Sequence, residues 1–357
     1  MARNTLAQID RTALEHNLAR VRAMASGARI MAVVKADAYG HRLDLCLPAL
    51  AGADLLAVAT IEEARAIRRL NCSTPIVLLE GLLHAEDLPV AEELGLEIVV
   101  HHESQVQMLE AHGRSPQPRL WLKINSGMNR LGVPGDRARQ LHERLRRLNG
   151  VEQVNPMTHF AQADRRDDDA TARQMARFEA SISELSGERC LANSAGLINF
   201  PSSRADWVRA GILLYGISPL AGQTGSELGV KPVMTLRCEL MAINEVQAGE
   251  RIGYGGRFLA NQAMRIGVAA IGYGDGYPRS MADGAPVLVG GRRCTLAGRV
   301  SMDMITVDLS AFPDAELGEE VVLWGDGLAA EEIAGYAQTI PYELVCRITR
   351  RVRYRGG

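Results

Sequence analysis

The stretch MAVVKADAYGH (residues 31–41) poses the question that decides the fold. Met31 to Val34 read as a buried strand, and the apolar run stops at Lys35. Tyr39, Gly40 and His41 follow almost at once. Seven more runs of this kind follow ARIMAVVK (28–35) along the chain: LLAVAT (55–60), PIVLLEG (75–81), LEIVVH (96–101), RLWLKINSG (119–127), VNPMTHF (154–160), ERCLANSA (188–195) and WVRAGILLYG (207–216). Between them, segments such as IEEARAIRRL and ESQVQMLEAH place apolar residues three and four apart, as amphipathic helices do. Continuously apolar strands that alternate with helices belong to a parallel sheet covered on both faces. Repeated eight times, the pattern predicts an α/β fold, a (β/α)8 TIM-type barrel over residues 1–232.

After Pro232 the texture changes. MTLRCELMAINEV, RIGVAAIGY, APVLVGG, RRCTLAGRVSMDMITVDLS and EEVVLWG read as short strands joined by Gly-rich turns. Residues 233–357 are therefore expected to form a second, mainly β domain, in which only AAEEIAGYA (329–337) reads as helical. The opening TLAQID (5–10) also reads as a strand and is expected to pair with this domain.

Composition narrows the function classes. The chain has 357 residues, 47% apolar and 23% charged, with a formal net charge of −2. Nothing in that balance calls for nucleic acid or an anionic membrane surface. RLRRL (144–148) reads as a solvated helix face. No stretch is long and apolar enough to span a bilayer, and the N-terminus has no apolar leader segment, so a cytoplasmic location is expected. The six cysteines are scattered without zinc spacing and read as buried free thiols. His101 and His102 are adjacent on a strand, point to opposite faces, and are not expected to share a metal.

In a barrel of this kind, reactive groups sit at the C-terminal ends of the strands. Lys35 ends the first strand. Lys123 lies on the fifth, which leads to Arg130. His159 lies on the sixth, Asn193 and Ser194 end the seventh, and Arg209 and Gly211 mark the eighth. Each has an ordinary reading on its own: His159 as a core histidine, Arg209 as the ion-pair partner of Asp206. Taken together they converge on one cavity. A lysine at an apolar barrel mouth can lose its proton and form a Schiff base. Ser194 and the amides of Gly211 and Ile212 follow strands seven and eight, where barrels commonly bind phosphate. Lysine plus phosphate site points to a phosphate-binding barrel, and pyridoxal 5′-phosphate (PLP) answers to both features.

Nine motifs carry a closer likeness: AVVKADAYGH (32–41), LKINSGMNRLG (122–132), THFAQAD (158–164), NSAG (193–196), DWVRAGILLYG (206–216), GYGG (253–256), IGYGDGYPR (271–279), GRVSMDM (298–304) and PYEL (341–344). In this order and at these separations, the chain resembles the bacterial alanine racemases, fold-type III PLP enzymes, along essentially its whole length. The resemblance implies a PLP-dependent interconversion of L- and D-alanine, for peptidoglycan synthesis or D-alanine breakdown. Lys35 would hold PLP as an imine and then act as one base. Tyr273, which could otherwise be a turn aromatic, would be the second base, supplied by the partner subunit of a homodimer. Arg209 would bond the pyridine nitrogen. Tyr39, Asn193, Ser194, Tyr342 and the Gly211 and Ile212 amides would surround the cofactor, most of them at its phosphate. Arg130 would touch the ring oxygen and the substrate carboxylate. His159 would orient Tyr273 and link to Arg209, and the Met302 backbone would reach the substrate from the partner. Lys123 matches a lysine that some members carry carbamylated. Tyr254 and Asp164 are expected at the entrance.

The chain departs from the family pattern at several points. Arg42 stands where glycine is usual, Asn125 where aspartate is, and Ala210 where proline is common. Ser301 occupies a position that also takes Cys or Ala. The closest competing expectations are a racemase of another amino acid and a fold-type III amino-acid decarboxylase. The decarboxylases are expected to place an acidic residue at the pyridine nitrogen, which Arg209 opposes.

Overall fold

The computed structural model describes residues 4–357. Strand β1 (Leu6–Ile9) is followed by the helix Arg11–Ala25 and then by β2 (Arg29–Val33), β3 (Leu55–Val58), β4 (Ile76–Leu78), β5 (Leu96–Val100), β6 (Arg119–Lys123), β7 (Gln153–Met157) and β8 (Trp207–Ala210). Strands β2 to β8 form one parallel sheet in the order β7-β6-β5-β4-β3-β2-β8. The remaining gap is bridged by Cys190, which pairs in parallel with Met157 on one side and Trp207 on the other. The ring thus has eight staves, but the expected strand ERCLANSA is reduced to a one-residue bridge. The chain leaves the sheet after Ala192 because Asn193 caps the helix Ser194–Asn199, its side chain accepting from the Gly196 amide. The segment IEEARAIRRL is helical over Ile61–Arg69, with Thr60 and Glu63 forming a capping box.

Strand periodicity sorts the barrel side chains. Met31, Val33, Leu55, Ala57, Val77, Val99, Trp121, Met157, Cys190 and Trp207 fill the interior as one cluster. Their neighbours Ile30, Ala32, Leu56, Ile76, Ile98, Leu120 and Val208 face the surrounding helices. Two indoles plug the interior near the N-terminal end, Trp121 and Trp207, edge-on with centroids 5.6 Å apart. Below them Glu97 accepts from Trp121 Nε1 at 2.7 Å and pairs with Arg119 at 2.8 Å. The Arg29 guanidinium lies 4.3 Å from the Trp207 ring centroid. This end is closed, so any cavity must open at the other mouth.

The second sheet has eight strands and is largely antiparallel. Its long strand β9 (Met234–Val246) pairs antiparallel with β1, which in turn pairs in parallel with Arg353–Gly356. Residues 6–9 and 353–356 are therefore held side by side in this sheet. Besides Ala330–Tyr336, a second helix, Pro341–Cys346, was not expected from the sequence. Proline at its first turn costs no hydrogen bond there. It packs against the turn that follows β2, so the β domain forms part of the barrel mouth. No helix is long and apolar enough to cross a membrane among the described residues.

Trp207 is 1% exposed at the barrel floor. Replacing a buried aromatic by alanine removes its packing and leaves a cavity. Trp207→Ala is expected to cost about 3–5 kcal/mol of stability, read as a lowered urea midpoint. An unchanged midpoint would show that the floor contributes nothing.

Candidate active site

The polar residues of the mouth follow from the packing of the floor. Side chains on a strand alternate, so the residue two beyond an interior one faces inward again, one layer higher. Val33 leads to Lys35, Trp121 to Lys123, Met157 to His159 and Trp207 to Arg209. These four surround a cavity of about 590 Å³, whose wall also includes Tyr39, Arg130, Asn193, Ser194, Gly211, Ile212 and Tyr342.

Arg209 anchors this site. It is 4% exposed, and no carboxylate among the described residues pairs with it. Asp206 instead accepts from the Arg189 amide at 2.8 Å and lies 3.8 Å from the Arg189 guanidinium. Arg209 Nη2 donates to Thr158 O at 2.8 Å and to His159 Nδ1 at 3.0 Å. Nη1 donates to Cys190 Sγ at 3.0 Å. A guanidinium only donates, so His159 Nδ1 must accept, which leaves the hydrogen on Nε2. Burial, with Arg209 and then Lys123 nearby, holds the His159 pKa well below the usual range, so the ring is neutral.

The cavity is strongly cationic. Lys35, Lys123, Arg130 and Arg209 line it, with Glu80 as the single carboxylate. Burial, with Arg209, Arg130 and Lys35 close by, pushes the Lys123 pKa from 10.5 down to about 7. Facing these cations is a set of neutral donors. Ser194 Oγ accepts from the Gly211 amide at 2.9 Å, and Tyr39 and Tyr342 lie with ring centroids 6.1 Å apart. A Cβ at Gly211 would meet the Tyr39 hydroxyl at 2.7 Å, so glycine is what allows the phenol to reach the amide. Excess positive charge, two phenols, a serine and a close-approach amide suit a phosphate dianion. A lysine and an unpaired guanidinium in the same cavity suit the rest of PLP, so the residues fit that cofactor.

Lys35 and Tyr39 are set by an unusual backbone. Ala36, Asp37, Ala38 and Tyr39 have φ of 54°, 53°, 56° and 53°, one turn of left-handed helix. Such a conformation costs roughly 1–2 kcal/mol per non-glycine residue. Surrounding contacts hold it: the Ala36 amide donates to Glu63 Oε1 at 2.7 Å and the Leu43 amide to Asp37 Oδ1 at 2.7 Å. Gly40 ends the turn at φ 77°, where a Cβ would strike Val345 O at 2.2 Å. Arg42 also has positive φ, 68°. That accounts for the glycine the resemblance leads one to expect here. In this chain the guanidinium lies 3.1 Å from Asp44, 3.7 Å from Asp37 and 5.7 Å from the Tyr354 ring centroid. Asn125 keeps an acceptor role, its Oδ1 taking the Gly127 and Asn129 amides at 3.1 Å each.

Three of the candidate residues lie elsewhere. Tyr273, Met302 and Tyr254 are 37%, 52% and 71% exposed on the β domain, outside the cavity of their own chain. Tyr273 and Met302 are neighbours: the Tyr273 amide donates to Ser301 O at 3.0 Å and the Gly274 amide to Met302 O at 2.9 Å. Arg351 ties the two turns together, 3.2 Å from Asp275 and 2.5 Å from Asp303. Ser301 Oγ donates to Met304 O at 2.7 Å and closes the Met302 turn. Sequence reasoning missed Glu80, Arg351 and Cys346. Glu80 sits just past the end of β4, so the strand-end rule could have found it. Cys346 is exposed and lines the cavity, not buried as expected; it arrives on the unexpected helix.

The family models "Alanine racemase, N-terminal domain" and "Alanine racemase, C-terminal domain" match residues 9–219 and 233–355. An alanine racemase of Nitrosomonas eutropha is 47% identical over 99% of this chain and 98% of its own. The biosynthetic alanine racemase of Pseudomonas aeruginosa superposes with a TM-score of 0.96 at 43% identity, covering 100% of both chains. An alanine racemase of Bartonella henselae, described with covalently bound pyridoxal phosphate, superposes with a TM-score of 0.89 at 25% identity over 99% of both chains.

Lys123 supplies a pH test. Its proton is held more weakly in the folded chain than in the unfolded one. The unfolded chain therefore binds more protons between about 7 and 10.5, and stability rises with pH across that window. Lys123→Met removes the penalty, so its stability advantage is expected to be greatest at or below pH 7 and to fade toward 10.5. Urea midpoints of both proteins in carbonate-free buffer would check this; a difference independent of pH would refute it.

Proposed function

Because this chain belongs to the alanine racemase family, a family of PLP-dependent isomerases, we propose that it interconverts L- and D-alanine with two bases, Lys35 and the partner subunit's Tyr273. The observation that carries the reading is Arg209, buried without a carboxylate partner and facing the cavity that Lys35 enters.

PLP, when bound, supplies the electron sink that makes the Cα proton of an amino acid removable. Lys35 would hold the cofactor. Ser194, Tyr39, Tyr342 and the Gly211 and Ile212 amides would take the phosphate, with Asn193 beside them. Arg209 would sit at the pyridine nitrogen. A guanidinium cannot accept a hydrogen bond, so a ring nitrogen held there would stay unprotonated and the cofactor would supply a weaker electron sink, one that disfavours transamination. Arg130 and the partner subunit's Met302 hold the substrate carboxylate.

Racemisation removes a proton from one face of Cα and returns one to the other. Two fixed bases do this without either crossing the carbon. Lys35 Nζ serves one face and the Tyr273 phenol the other. Tyrosine titrates near 10 in water, so its anion needs stabilising. The Nε2–H of His159, whose Nδ1 is engaged by Arg209, is the donor we assign to it. Tyr273 and Met302 share one exposed surface, so a homodimer that docks this surface over the partner's barrel mouth completes both sites. Lys123, with its lowered pKa, is the lysine we assign to carbamylation, since only the neutral amine adds carbon dioxide. The carbamate would brace Arg130. The product serves peptidoglycan synthesis or, in reverse, D-alanine breakdown, in the cytoplasm.

Tyr273→Phe is expected to lower kcat by about 10²–10⁴-fold with PLP still bound, and Lys35→Ala to abolish the imine absorption band. Mixing and reassociating the two inactive variants tests the shared site. A heterodimer then has one site with both native bases, and a random equal mixture should regain about a quarter of native activity. No recovery, with heterodimers verified by mass, would refute the partner assignment. Unchanged kinetics in Tyr273→Phe would remove the second base.

A further inference from the structure

Lys35 opens the left-handed turn, and the peptide that follows its Cα sets the direction in which its side chain leaves the backbone. Within the turn the Ala38 amide donates to Val34 O at 2.9 Å and the Gly40 amide to Ala36 O at 2.8 Å. The Ala36 amide, ahead of both, is taken from outside the turn, by Glu63 Oε1 at 2.7 Å. Amides at the start of a helical turn have no partner inside it and need one of this kind.

Glu63 has a second task. It is the third residue of the helix Ile61–Arg69, and its amide donates to Thr60 Oγ1 at 3.3 Å. Its Oε2 accepts the Ala59 amide at 2.8 Å and the Thr60 amide at 3.2 Å, which closes the capping box. One side chain thus takes three amides from two loops, the one leaving β2 and the one leaving β3. Both of its oxygens accept, which a carboxylate can do and an amide group cannot. The cap needs only Oε2; Oε1 reaches back 27 positions, to the residue next to Lys35. Glu63 is no part of the cavity wall, so its effect on the site passes through this backbone.

We infer that Glu63 is a positioning residue for Lys35: by pinning the peptide that follows Lys35, it holds Nζ in reach of the substrate Cα and so serves one of the two proton transfers, not the other. The inference rests on the two-base reading of Lys35 and Tyr273. Its signature follows from that asymmetry. L- and D-alanine have equal free energies, so any variant must lower kcat/KM equally in both directions. Cα deuterium isotope effects are under no such constraint, because each reports how far cleavage of that enantiomer's Cα–H bond limits the rate. Where Lys35 takes the proton, a misplaced lysine makes cleavage more limiting. Where Tyr273 takes it, the slow step becomes the later return of a proton from Lys35, and cleavage becomes less limiting.

Glu63→Gln keeps the size of the side chain but leaves one acceptor oxygen. That oxygen is expected on the side of Ala59 and Thr60, where it meets two amides, which turns the NH2 group toward the Ala36 amide. In the holoenzyme the Ala36 amide should then exchange its hydrogen about ten-fold faster or more, as expected for losing a hydrogen bond to a charged group. Mass spectrometry with residue-level fragmentation reads this. kcat/KM should fall roughly ten- to a hundred-fold in both directions, as for a small misplacement of a reacting group. With Cα-deuterated D- and L-alanine, the isotope effect on kcat/KM should rise for one enantiomer and fall for the other. Glu63→Asp, whose carboxylate is drawn back from Ala36 by one methylene, should shift them the same way and guards against a glutamine variant that fails to fold. Thr60→Ala removes the other half of the capping box and should keep the native isotope effects. Unchanged exchange at Ala36, or isotope effects that move together or not at all, would overturn the proposal. So would the same asymmetry in Thr60→Ala, which would reduce Glu63 to a helix cap. A native enzyme that removes the Cα deuterium of neither enantiomer would fail the two-base reading itself, and the proposal with it.

Discussion

One buried guanidinium organises the mouth of this barrel. Arg209 reaches from β8 to the carbonyl of Thr158 and the ring of His159, and to the thiol of Cys190 on the one-residue stave between them. A cation with no counter-ion in the interior is costly unless several dipoles surround it. Here neutral acceptors from neighbouring staves do so. The same charge fixes the tautomer of His159, keeps its ring neutral and helps depress Lys123. The positive field that results is a poor environment for a fifth cation and a good one for a bound phosphate.

A second constraint is the left-handed turn after β2. Four consecutive non-glycine residues at positive φ are held by Glu63, by Asp37 and by the close pack of Gly40 on Val345. Strain of this kind persists only where surroundings over-determine it. It places Lys35 and Tyr39 on one rigid loop, aimed at the same cavity. Arg42, just beyond it, is a further non-glycine residue at positive φ, 68°, flanked by Asp37, Asp44 and the Tyr354 ring.

The two domains divide the work. The barrel supplies the cation cluster; the β domain contributes Tyr342 and Cys346 to the wall of its own chain's cavity. It carries Tyr273 and Met302 outward, on turns cross-braced by Arg351.

By itself the sequence determined the alternation of strand and helix, because period-2 and period-3.6 patterns are local properties of a chain. It also determined the polar layer of the mouth, since strand side chains return to one face every second residue. The resemblance named the residues proposed to surround PLP. What only the tertiary structure decided were features with no local signature. The seventh strand shrank to Cys190 because an asparagine cap drew the chain into a helix. Arg209 proved free of Asp206 because Arg189 lies nearer to it. Arg42 gained a reason through a dihedral angle, and Cys346 reached the cavity on a helix from the other domain. A second cavity, of about 410 Å³, has in its wall both His41 and Trp324, 283 positions apart. Such juxtapositions arise from packing between distant segments, and no pattern along the chain encodes them.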